Sequence, residues 1–340
     1  MKGKATSFDI AYYAGVSQST VSRALRDSPL VNEKTRTKIQ QIAKDLNYTV
    51  DKNASNLSSQ TSSTIALLLF QDPTSDDSQI NPFFISILGS IMRACTDNGY
   101  DLLVSFQEMS NNWHSEYEDC RKADGIILLG YGDYTDYQEK LQQLESQGTH
   151  YVRWGADEEG QPGISIGCDN IHGGETITQH LISLGRKDIA FVGEASSISP
   201  EFFDRYRGCC KALKAAGLEI TKELQINSIS TEQAGYLAAE ELMALKLPVD
   251  AIVCASDSIA IGVIKALRNI NIDIPNDIAV TGYDNIPLAE FIRPPLTTIQ
   301  QDTKLAGKLL VETLLNDIND KPVQTALLPT KLVIRGSCGS

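Results

Sequence analysis

The sequence predicts an α/β protein with a small N-terminal helix-turn-helix head and a larger body of two α/β lobes. Three observations support this fold class. Two short amphipathic segments meet at one tight turn within residues 5–26, a polar segment occupies 47–63, and apolar runs of strand length then alternate with helical stretches. The 340 residues exceed one ordinary domain, and a content of 42% apolar and 21% charged residues is typical of a globular chain.

The head is predicted to contain three helices. The first buries an apolar stripe that includes Ile10 and Ala14, and Gly15 then permits a turn with positive φ. Ser17 is placed to cap the second helix, and Asn32 to cap the third. The inward positions of the second and third helices are Val21, Ala24, Leu25, Ile39, Ile42, Ala43 and Leu46.

The opposite face of the second helix carries side chains that can contact DNA. At about 100° per residue this face holds Ser19, Ser22, Arg23 and Arg26, with Gln18 at its N-terminal end. Glutamine can pair with adenine and arginine with guanine, while serine suits a phosphate or a close base contact. This face could therefore lie in a major groove. The alternative is a small helical bundle that has a polar face and no nucleic-acid partner.

The charge is divided unevenly between head and body. The chain carries a net charge of −13, but residues 1–60 hold nine Lys or Arg and five Asp or Glu, a local +4 that leaves −17 on the remainder. A basic head on an acidic body favours docking on DNA through one end only, because the body repels phosphate.

Several classes of protein are disfavoured by motifs that the sequence lacks. The N-terminal segment MKGKATSFD has no apolar signal segment and no run approaches the ~18 apolar residues of a membrane span, so we expect a cytoplasmic protein without a membrane partner. The seven cysteines form no C-x-x-C pair, and no histidines have zinc-finger spacing, so we expect no metal site. Without a phosphate-binding loop or a nucleophile motif, we expect no cofactor and no enzymatic activity.

The body is predicted to be parallel α/β. Eight apolar runs read as strands, and runs such as ALLL and IILL suit strands covered by helices on both faces. The eight runs are 64–70, 101–106, 124–130, 150–155, 164–169, 188–194, 251–256 and 278–284. This is too much for one ordinary sheet, so we expect two lobes whose strand ends surround a shared cleft.

The predicted cleft residues follow the strands. Trp154, Asp169, Asn170, Ser256, Asp257 and Asp284 each come at or just after a strand end, and Arg205 is expected near the start of a helix. An aromatic face, carboxylates and a guanidinium can together bind a polyhydroxylated ligand such as a sugar. Alternatively, Asp and Asn at strand ends cap the next helix, and a lone tryptophan packs in the core.

These motifs resemble the LacI/GalR family of bacterial transcription regulators, nearly from end to end. DIAYYAGVSQSTVSRAL is similar to the DNA-binding signature of that family. The body motifs NPFF, ADGIIL, DRYRG, ASDSIAIG, VTGYDN and PPLTTIQQD follow in the same order as in the family. The resemblance implies a helix-turn-helix domain at 1–47, a hinge helix and linker at 48–62, and a periplasmic-binding-protein-like effector and dimerisation domain at 63–340. Lobe 1 would take about 63–168 and 301–327, and lobe 2 about 169–300 and 328–340.

The resemblance also implies which residues contact DNA. Gln18, Ser19 and Arg23 fall at base-reading positions, and Thr20 and Ser22 at phosphate-contact positions. Leu57 corresponds to the hinge leucine that wedges into the operator from the minor groove. The other expected DNA contacts are Ser7, Asn32 and Ala54. Two departures weaken the expected grip of the hinge: Val50 replaces the usual proline, and Ser55 replaces the arginine or glutamine that often follows the hinge alanine.

For the cleft, the resemblance implies that Arg205 and Asp284 are effector contacts. Ser256 and Asp257 stand where relatives often have Asn-Asp, Trp154 stands at a variable position, and Phe83 and Phe84 are expected to wall the cleft from lobe 1. These residues predict a sugar or glycoside effector, with a nucleobase stacked on Phe83 or Phe84 as the alternative.

The predicted function is a transcription regulator, most often a repressor in this family, that binds palindromic operator DNA as a homodimer. No apolar heptads follow LVIRGSCGS, which favours a dimer over a tetramer. Three alternatives remain: a sugar-binding transport component, which residues 5–26 and the missing signal segment disfavour; a two-lobed enzyme; and a global regulator whose body binds a phosphocarrier protein.

Overall fold

The structure, a computed structural model, describes residues 5–48, 61–70, 80–108, 111–130, 134–157 and 160–339. The chain divides into two compact units, residues 1–62 and 63–340. Within the described residues, no helix is both long and apolar enough to span a membrane.

The described residues of the head unit form three short helices, α1 (Ser7–Ala14), α2 (Gln18–Leu25) and α3 (Glu33–Asp45), packed around Ile10, Val21 and Ile39. Its predicted turn and caps are confirmed. Gly15 has φ 72°, and the side chains of Ser17 and Asn32 accept the backbone N–H groups three residues further on. Leu25, Ile42 and Leu46 are half-buried at the edge of this core.

In the part of the body unit that the structure describes, the strands form two six-stranded sheets, one in each lobe. The strands are β1 (Thr64–Leu69), β2 (Asp101–Phe106), β3 (Gly125–Leu129), β4 (Tyr151–Trp154), β5 (Ile164–Cys168), β6 (Ile189–Val192), β7 (Gln225–Ile226), β8 (Ala251–Cys254), β9 (Ala279–Asp284), β10 (Thr297–Gln301), β11 (Ala326–Leu328) and β12 (Thr330–Val333). In lobe 1 the order is β11-β5-β4-β3-β1-β2, and every pair is parallel. In lobe 2 the order is β12-β10-β9-β8-β6-β7, and only β12 is antiparallel.

Helices cover these sheets. They are α4 (Pro82–Asp97), α5 (Tyr134–Gln147), α6 (Asn170–Ser183), α7 (Pro200–Ala215), α8 (Glu232–Ala244), α9 (Asp257–Asn269), α10 (Leu288–Phe291) and α11 (Thr303–Ile318), with a π-helical turn at His114–Asp119 and a 3₁₀ turn at Lys222–Leu224. Fully enclosed strand residues such as Leu67, Ile127, Val192 and Ile252 show why the apolar runs are continuous, since helices lie on both faces of the strands.

All eight strands expected in the body are present, and the two-lobed α/β architecture is confirmed. The short strands β7, β10, β11 and β12 were not among those eight. The chain crosses between the lobes three times, after β5, β10 and β11. Gln301 pairs in the sheet of lobe 2 and Leu328 in that of lobe 1, so these two crossings lie one residue beyond the expected boundaries.

Candidate functional site

The candidate DNA-binding face lies on α2. Gln18, Ser19, Ser22 and Arg23 are exposed there, while Thr20 is half-buried. The Gln18 side-chain amide donates to the Ser7 hydroxyl across 3.0 Å, so α1 and α2 present these two predicted contacts together. The Ser17 hydroxyl lies 2.9 Å from the hydroxyls of both Ser19 and Thr20, which orders the start of the helix.

Three other predicted DNA contacts have different surroundings. Asn32 is exposed, but its side-chain oxygen accepts the Thr35 N–H across 2.8 Å as the cap of α3. Ala54 and Leu57 lie outside the described residues, as do the departures at Val50 and Ser55. The hinge contacts therefore stay predictions.

The candidate effector cleft lies where the carboxyl edges of the two sheets face each other. Asn81 and Ala156 follow strands of lobe 1, whereas Ser230 and Glu201 follow strands of lobe 2. The Asn81 amide donates to the Ser230 hydroxyl across 3.0 Å, and the Ala156 N–H donates to the Glu201 carboxylate across 3.2 Å. The lobes are thus in contact through both pairs.

Arg205 is the best-anchored charge in this cleft. It is the sixth residue of α7 and 1% exposed. Its Nε donates to the Asn170 side-chain oxygen across 2.9 Å, and its Nη1 donates to the Ala255 carbonyl. The Tyr283 ring lies beneath it, with 3.8 Å between the guanidinium carbon and the ring centroid, a cation–π contact. These three named partners belong to lobe 2, so lobe 2 itself orients the guanidinium.

Two glycines of α6 allow this close packing. A Cβ at Gly173 would overlap the Tyr283 hydroxyl, and one at Gly174 would overlap the Arg205 carbonyl oxygen. Asn170 opens the same helix. The segment NIHGG therefore supplies both a hydrogen-bond acceptor for Arg205 and the space into which α7 and β9 fit.

Asp284 forms the second half of the site, at the end of β9. Its Oδ1 lies 3.7 Å from Arg205 Nη1 and accepts from the Gln301 amide across 2.7 Å. Burial raises the pKa of Asp284 to about 7, although Arg205 and the Gln301 hydrogen bond both act to lower it. Its backbone has φ 112°, a strained conformation of the kind that concentrates at binding sites.

Ser256 and Asp257 are both fully enclosed at the start of α9. Ser256 caps the helix by accepting from the Ile259 N–H, and its hydroxyl also accepts from Ser230 across 2.8 Å. The Asp257 carboxylate accepts from the Thr298 hydroxyl and the Ile286 N–H, across 2.6 and 2.8 Å. Burial raises its pKa well above the usual range. In this closed arrangement Asp257 fastens α9 to the ends of β9 and β10.

The aromatic residues form a wall in lobe 1. Phe83 and Phe84 begin α4, and Trp154 ends β4. The Phe83 ring lies 5.3 Å from Phe84 and 5.8 Å from Trp154, measured between centroids. All three are buried in the same apolar cluster as the strands, with Trp154 5% exposed. Asp169, the remaining strand-end acid, caps α6.

The site also contains residues that the sequence did not single out. Asn81, Glu201, Tyr283 and Gln301 take part in it, and each is buried. Asn81, Tyr283 and Gln301 lie within the motifs NPFF, VTGYDN and PPLTTIQQD, whereas Glu201 lies outside every motif that the sequence analysis quoted. No group of three or more His, Cys, Asp or Glu side chains that could hold a metal was found among the described residues.

Comparisons with known proteins agree with this geometry. Residues 8–51 match the model of the "Bacterial regulatory proteins, lacI family", and residues 178–338 match that of the "Periplasmic binding protein-like domain". Head, body and cleft together define a DNA-binding regulator with a ligand-binding domain. The chain belongs to the lacI family of bacterial regulatory proteins.

Individual relatives cover nearly the whole chain. The ribose operon repressor of Escherichia coli (strain K12) is 30% identical over 340 residues, covering 98% of this chain and 99% of that protein. The HTH-type transcriptional repressor PurR of Pasteurella multocida (strain Pm70) is 30% identical over 345 residues, covering 99% of each. The crystal structure of the lac repressor dimer bound to operator and the anti-inducer ONPF has 25% identity, 99% coverage of both chains and a TM-score of 0.83.

Proposed function

We propose that this protein is a cytoplasmic transcriptional repressor of carbohydrate-utilisation genes, and not an enzyme. Its affinity for a palindromic operator is set by a small sugar or glycoside bound between the lobes. The observation that carries the proposal is the buried Arg205–Asp284 pair beside the strand ends of lobe 2, on a chain whose α2 exposes Ser19 and Arg23.

The polar chemistry of the cleft favours a polyhydroxylated ligand. Guanidinium N–H groups donate, and carboxylate and amide oxygens accept, so Arg205, Asp284 and Asn170 offer both halves of the hydrogen bonding that adjacent hydroxyls require. An aromatic ring suits the apolar face of a sugar. The E. coli relative is a repressor of a ribose operon, which supports this class of ligand.

On DNA, we propose that Gln18, Ser19 and Arg23 read bases and that Thr20, Ser22, Ser7 and Asn32 contact the backbone. Ala54 and Leu57 would act at the hinge. One helix-turn-helix reads one half-site, so a palindrome requires two copies.

A homodimer also suits the surface of the body. On lobe 1, Met92 of α4 and the edge-strand residues Val104 and Phe106 are exposed, and on lobe 2 Leu288 and Phe291 are 50% and 69% exposed. Exposed apolar residues grouped at a sheet edge and on a short helix favour association of copies. The lac repressor structure is that of a dimer.

A purine or nucleobase effector is the second candidate. The PurR relative at 30% identity and the paired Phe83 and Phe84 rings favour it. A flat base would stack on these rings, whereas a sugar would rely mainly on Arg205 and Asp284.

The DNA-binding proposal is tested by selecting binding sites for the full-length protein from a random double-stranded library. We expect enrichment of one two-fold symmetric sequence, bound at least a thousandfold more tightly than random DNA. Failure to prefer any palindrome would contradict the proposal.

The effector proposal is tested by a thermal-shift screen of the full chain against sugars, glycosides, sugar phosphates and nucleobases. A ligand at 100 times its Kd adds about 2.7 kcal/mol to stability. Stabilisation by a neutral sugar supports the first candidate, and stabilisation by nucleobases alone supports the second.

A further inference from the structure

The contact between Glu201 and Ala156 joins the two lobes at a buried point. Glu201, Ala156 and the neighbouring Arg153 are 5%, 2% and 2% exposed. Lobe 1 contributes Arg153 and Ala156, at and just after the end of β4, while lobe 2 contributes Glu201 from the first turn of α7. Breaking a hydrogen bond at a buried point from which water is excluded costs more free energy than breaking one at the surface.

The peptide units around Ala156 are held from both lobes. Arg153 Nη1 donates to the Ala156 carbonyl across 3.0 Å, which fixes the turn after β4 within lobe 1. The Ala156 N–H then donates to Glu201 Oε1 of lobe 2 across 3.2 Å. If the lobes separated, this N–H would lose its partner while the turn kept its shape. The hydrogen bond between Ala156 and Glu201 can therefore form and break without a change in the turn.

Among the described residues, the charged groups that act on Glu201 are Arg205, from its own helix, and Arg153, from β4. Both guanidiniums act to lower the pKa of the Glu201 carboxyl, as do the N–H groups of Ala156 and of Glu201 itself. Burial has the largest effect and raises the pKa. Contact between the lobes therefore shifts the Glu201 carboxyl toward its protonated form, whose carbonyl oxygen can still accept from the Ala156 N–H.

We propose that Glu201 is a clip that holds lobe 1 closed on lobe 2 by accepting the Ala156 N–H, and that protonation of its carboxyl favours this closed state. The inference rests on the proposed function, because it concerns regulation of the same effector cleft. Protonation of Glu201 makes the closed state, and hence the effector response, more favourable as pH falls.

A purely local role for Glu201 is the competing explanation. Glutamate in the first turn of a helix interacts favourably with the helix N-terminus, and Ser199 provides no side-chain cap to α7. A local cap would stabilise α7 without affecting lobe 1. The experiment must therefore report on lobe 1 at positions away from Glu201.

Closure is measured on the full chain without DNA or added ligand. Hydrogen exchange reports on the Ala156 amide and on residues 81–84 at the other interlobe contact. Acrylamide quenching of Trp154 reports on cleft opening, in a Trp113→Phe background because Trp113 and Trp154 are the two tryptophans of the chain. The variants are Glu201→Gln, which keeps an acceptor oxygen without a charge, and Glu201→Ala, which removes the acceptor.

A matched control is Glu175→Gln. Glu175 bonds Lys211 across 2.7 Å within lobe 2, so this change also replaces a carboxylate by an amide but touches no interlobe contact. We expect it to behave as the wild type in every measurement.

The proposal expects Glu201→Gln to remain at least as closed as the wild type and Glu201→Ala to open. Exchange at Ala156 and at residues 81–84 should accelerate about tenfold in the alanine variant, with stronger Trp154 quenching. In the wild type, quenching should increase as pH rises from 5 to 8, and this increase should be smaller in the glutamine variant.

Three results would overturn the clip. If Glu201→Ala is as closed as the wild type, Glu201 does not hold the lobes together. If Glu201→Gln is as open as Glu201→Ala, ionic attraction holds the lobes together. Faster exchange at Ala156 with no change at 81–84 or Trp154 shows a local cap. None of these measurements uses DNA or effector, so they are independent of the operator selection and the ligand screen. Those two experiments can fail while the role of Glu201 is supported.

Discussion

At the scale of single residues, the orientation of Arg205 depends on the aromatic ring of Tyr283 and not on the hydroxyl of that side chain. The Tyr283 hydroxyl is buried and has no hydrogen-bond partner among the described residues, while its ring lies against the guanidinium. A buried unpaired hydroxyl costs stability, so the useful part of this side chain is the aromatic face.

We predict that Tyr283→Phe keeps the fold and the effector response and raises the unfolding free energy by about 1 kcal/mol, because it removes only the unpaired hydroxyl. Tyr283→Leu should lower the unfolding free energy by roughly 2 kcal/mol or more, because it removes both the cation–π contact and packing volume. Urea denaturation of both variants checks this. A phenylalanine variant less stable than the wild type would show that the hydroxyl has a partner.

Asp284 should make stability depend on pH. Its pKa is raised from 3.8 to about 7 in the folded protein, so the folded state favours the protonated form. Relative to an uncharged side chain, Asp284 therefore contributes most to the unfolding free energy below pH 4, and this contribution is lost as pH rises through 7. At about 1.4 kcal/mol per pKa unit, the loss is on the order of a few kcal/mol at most.

The comparison to make is between the wild type and Asp284→Asn, in denaturant titrations from pH 4 to pH 8. The asparagine oxygen can still accept from Gln301, so the difference isolates the charge. The wild type should lose stability relative to the variant across this range. A constant difference would show that Asp284 is ionised throughout.

For DNA, Arg23→Ala should abolish the preference for the operator, since each bidentate base contact that is lost costs roughly 1–3 kcal/mol. Lys44→Ala is the matched control, because it removes one positive charge from the same unit, at the last turn of α3. Fluorescence anisotropy with the selected palindrome and with random DNA separates the two. If both variants lose the same affinity on both DNAs, Arg23 contacts phosphate and not a base.

At this scale, part of the site could be predicted from the sequence. Arg205 and Asp284 stand out because their charges occur in family motifs or at a strand end. Glu201 could not be recognised, since an acid in the first turn of a helix usually serves that helix alone. Tyr283 reads as an ordinary core residue of β9, and only the tertiary fold brings Arg205 onto its ring.

At the scale of elements, the helix pair α6 and α7 decides where Arg205 lies. α6 and α7 lie close together because α6 has glycine at the two positions where β9 and α7 approach it. Glycine is usually unfavourable inside a helix, so its presence here is explained by space.

We predict that Gly174→Ala destabilises the protein by roughly 1–3 kcal/mol or more, because the methyl group would displace α7 at Arg205. Gly89→Ala in α4 is the contrasting variant, since no atom of the described residues lies within 4 Å of its added Cβ. This second change should stabilise by roughly 0.5–1 kcal/mol through helix propensity. Thermal unfolding of both variants measures the contrast, and equal effects would show that α6 and α7 can separate freely.

The elements themselves were predictable to different degrees. Long apolar strands such as β1 and β3 were evident because both faces are buried. β10 reads TTIQQ and has few apolar residues, although all but one of its side chains are buried. β7 has two residues. Such segments become strands because neighbouring strands offer hydrogen bonds, which local sequence does not reveal.

At the scale of the whole molecule, the uneven charge should control how the protein uses DNA. Residues 1–60 carry +4 and the remainder −17. We predict that operator affinity falls steeply with salt, with a log–log slope of about 0.9 per phosphate contacted. Titration of the full chain against the selected palindrome at increasing salt gives this slope. A slope near zero would mean that the α2 face does not meet a phosphate backbone.

The three crossings between lobes also set the order in which the protein can be completed on a ribosome. β1–β5 emerge first, but α11 and β11, which finish lobe 1, are synthesised only after residues 169–302 of lobe 2. Ala306, Leu310 and Leu314 of α11 are fully enclosed, so the surface they cover stays open to water on the nascent chain. Lobe 1 must therefore wait, with apolar surface exposed, until most of lobe 2 has been translated, and during that interval the growing chain depends on chaperones more than a protein with contiguous lobes would.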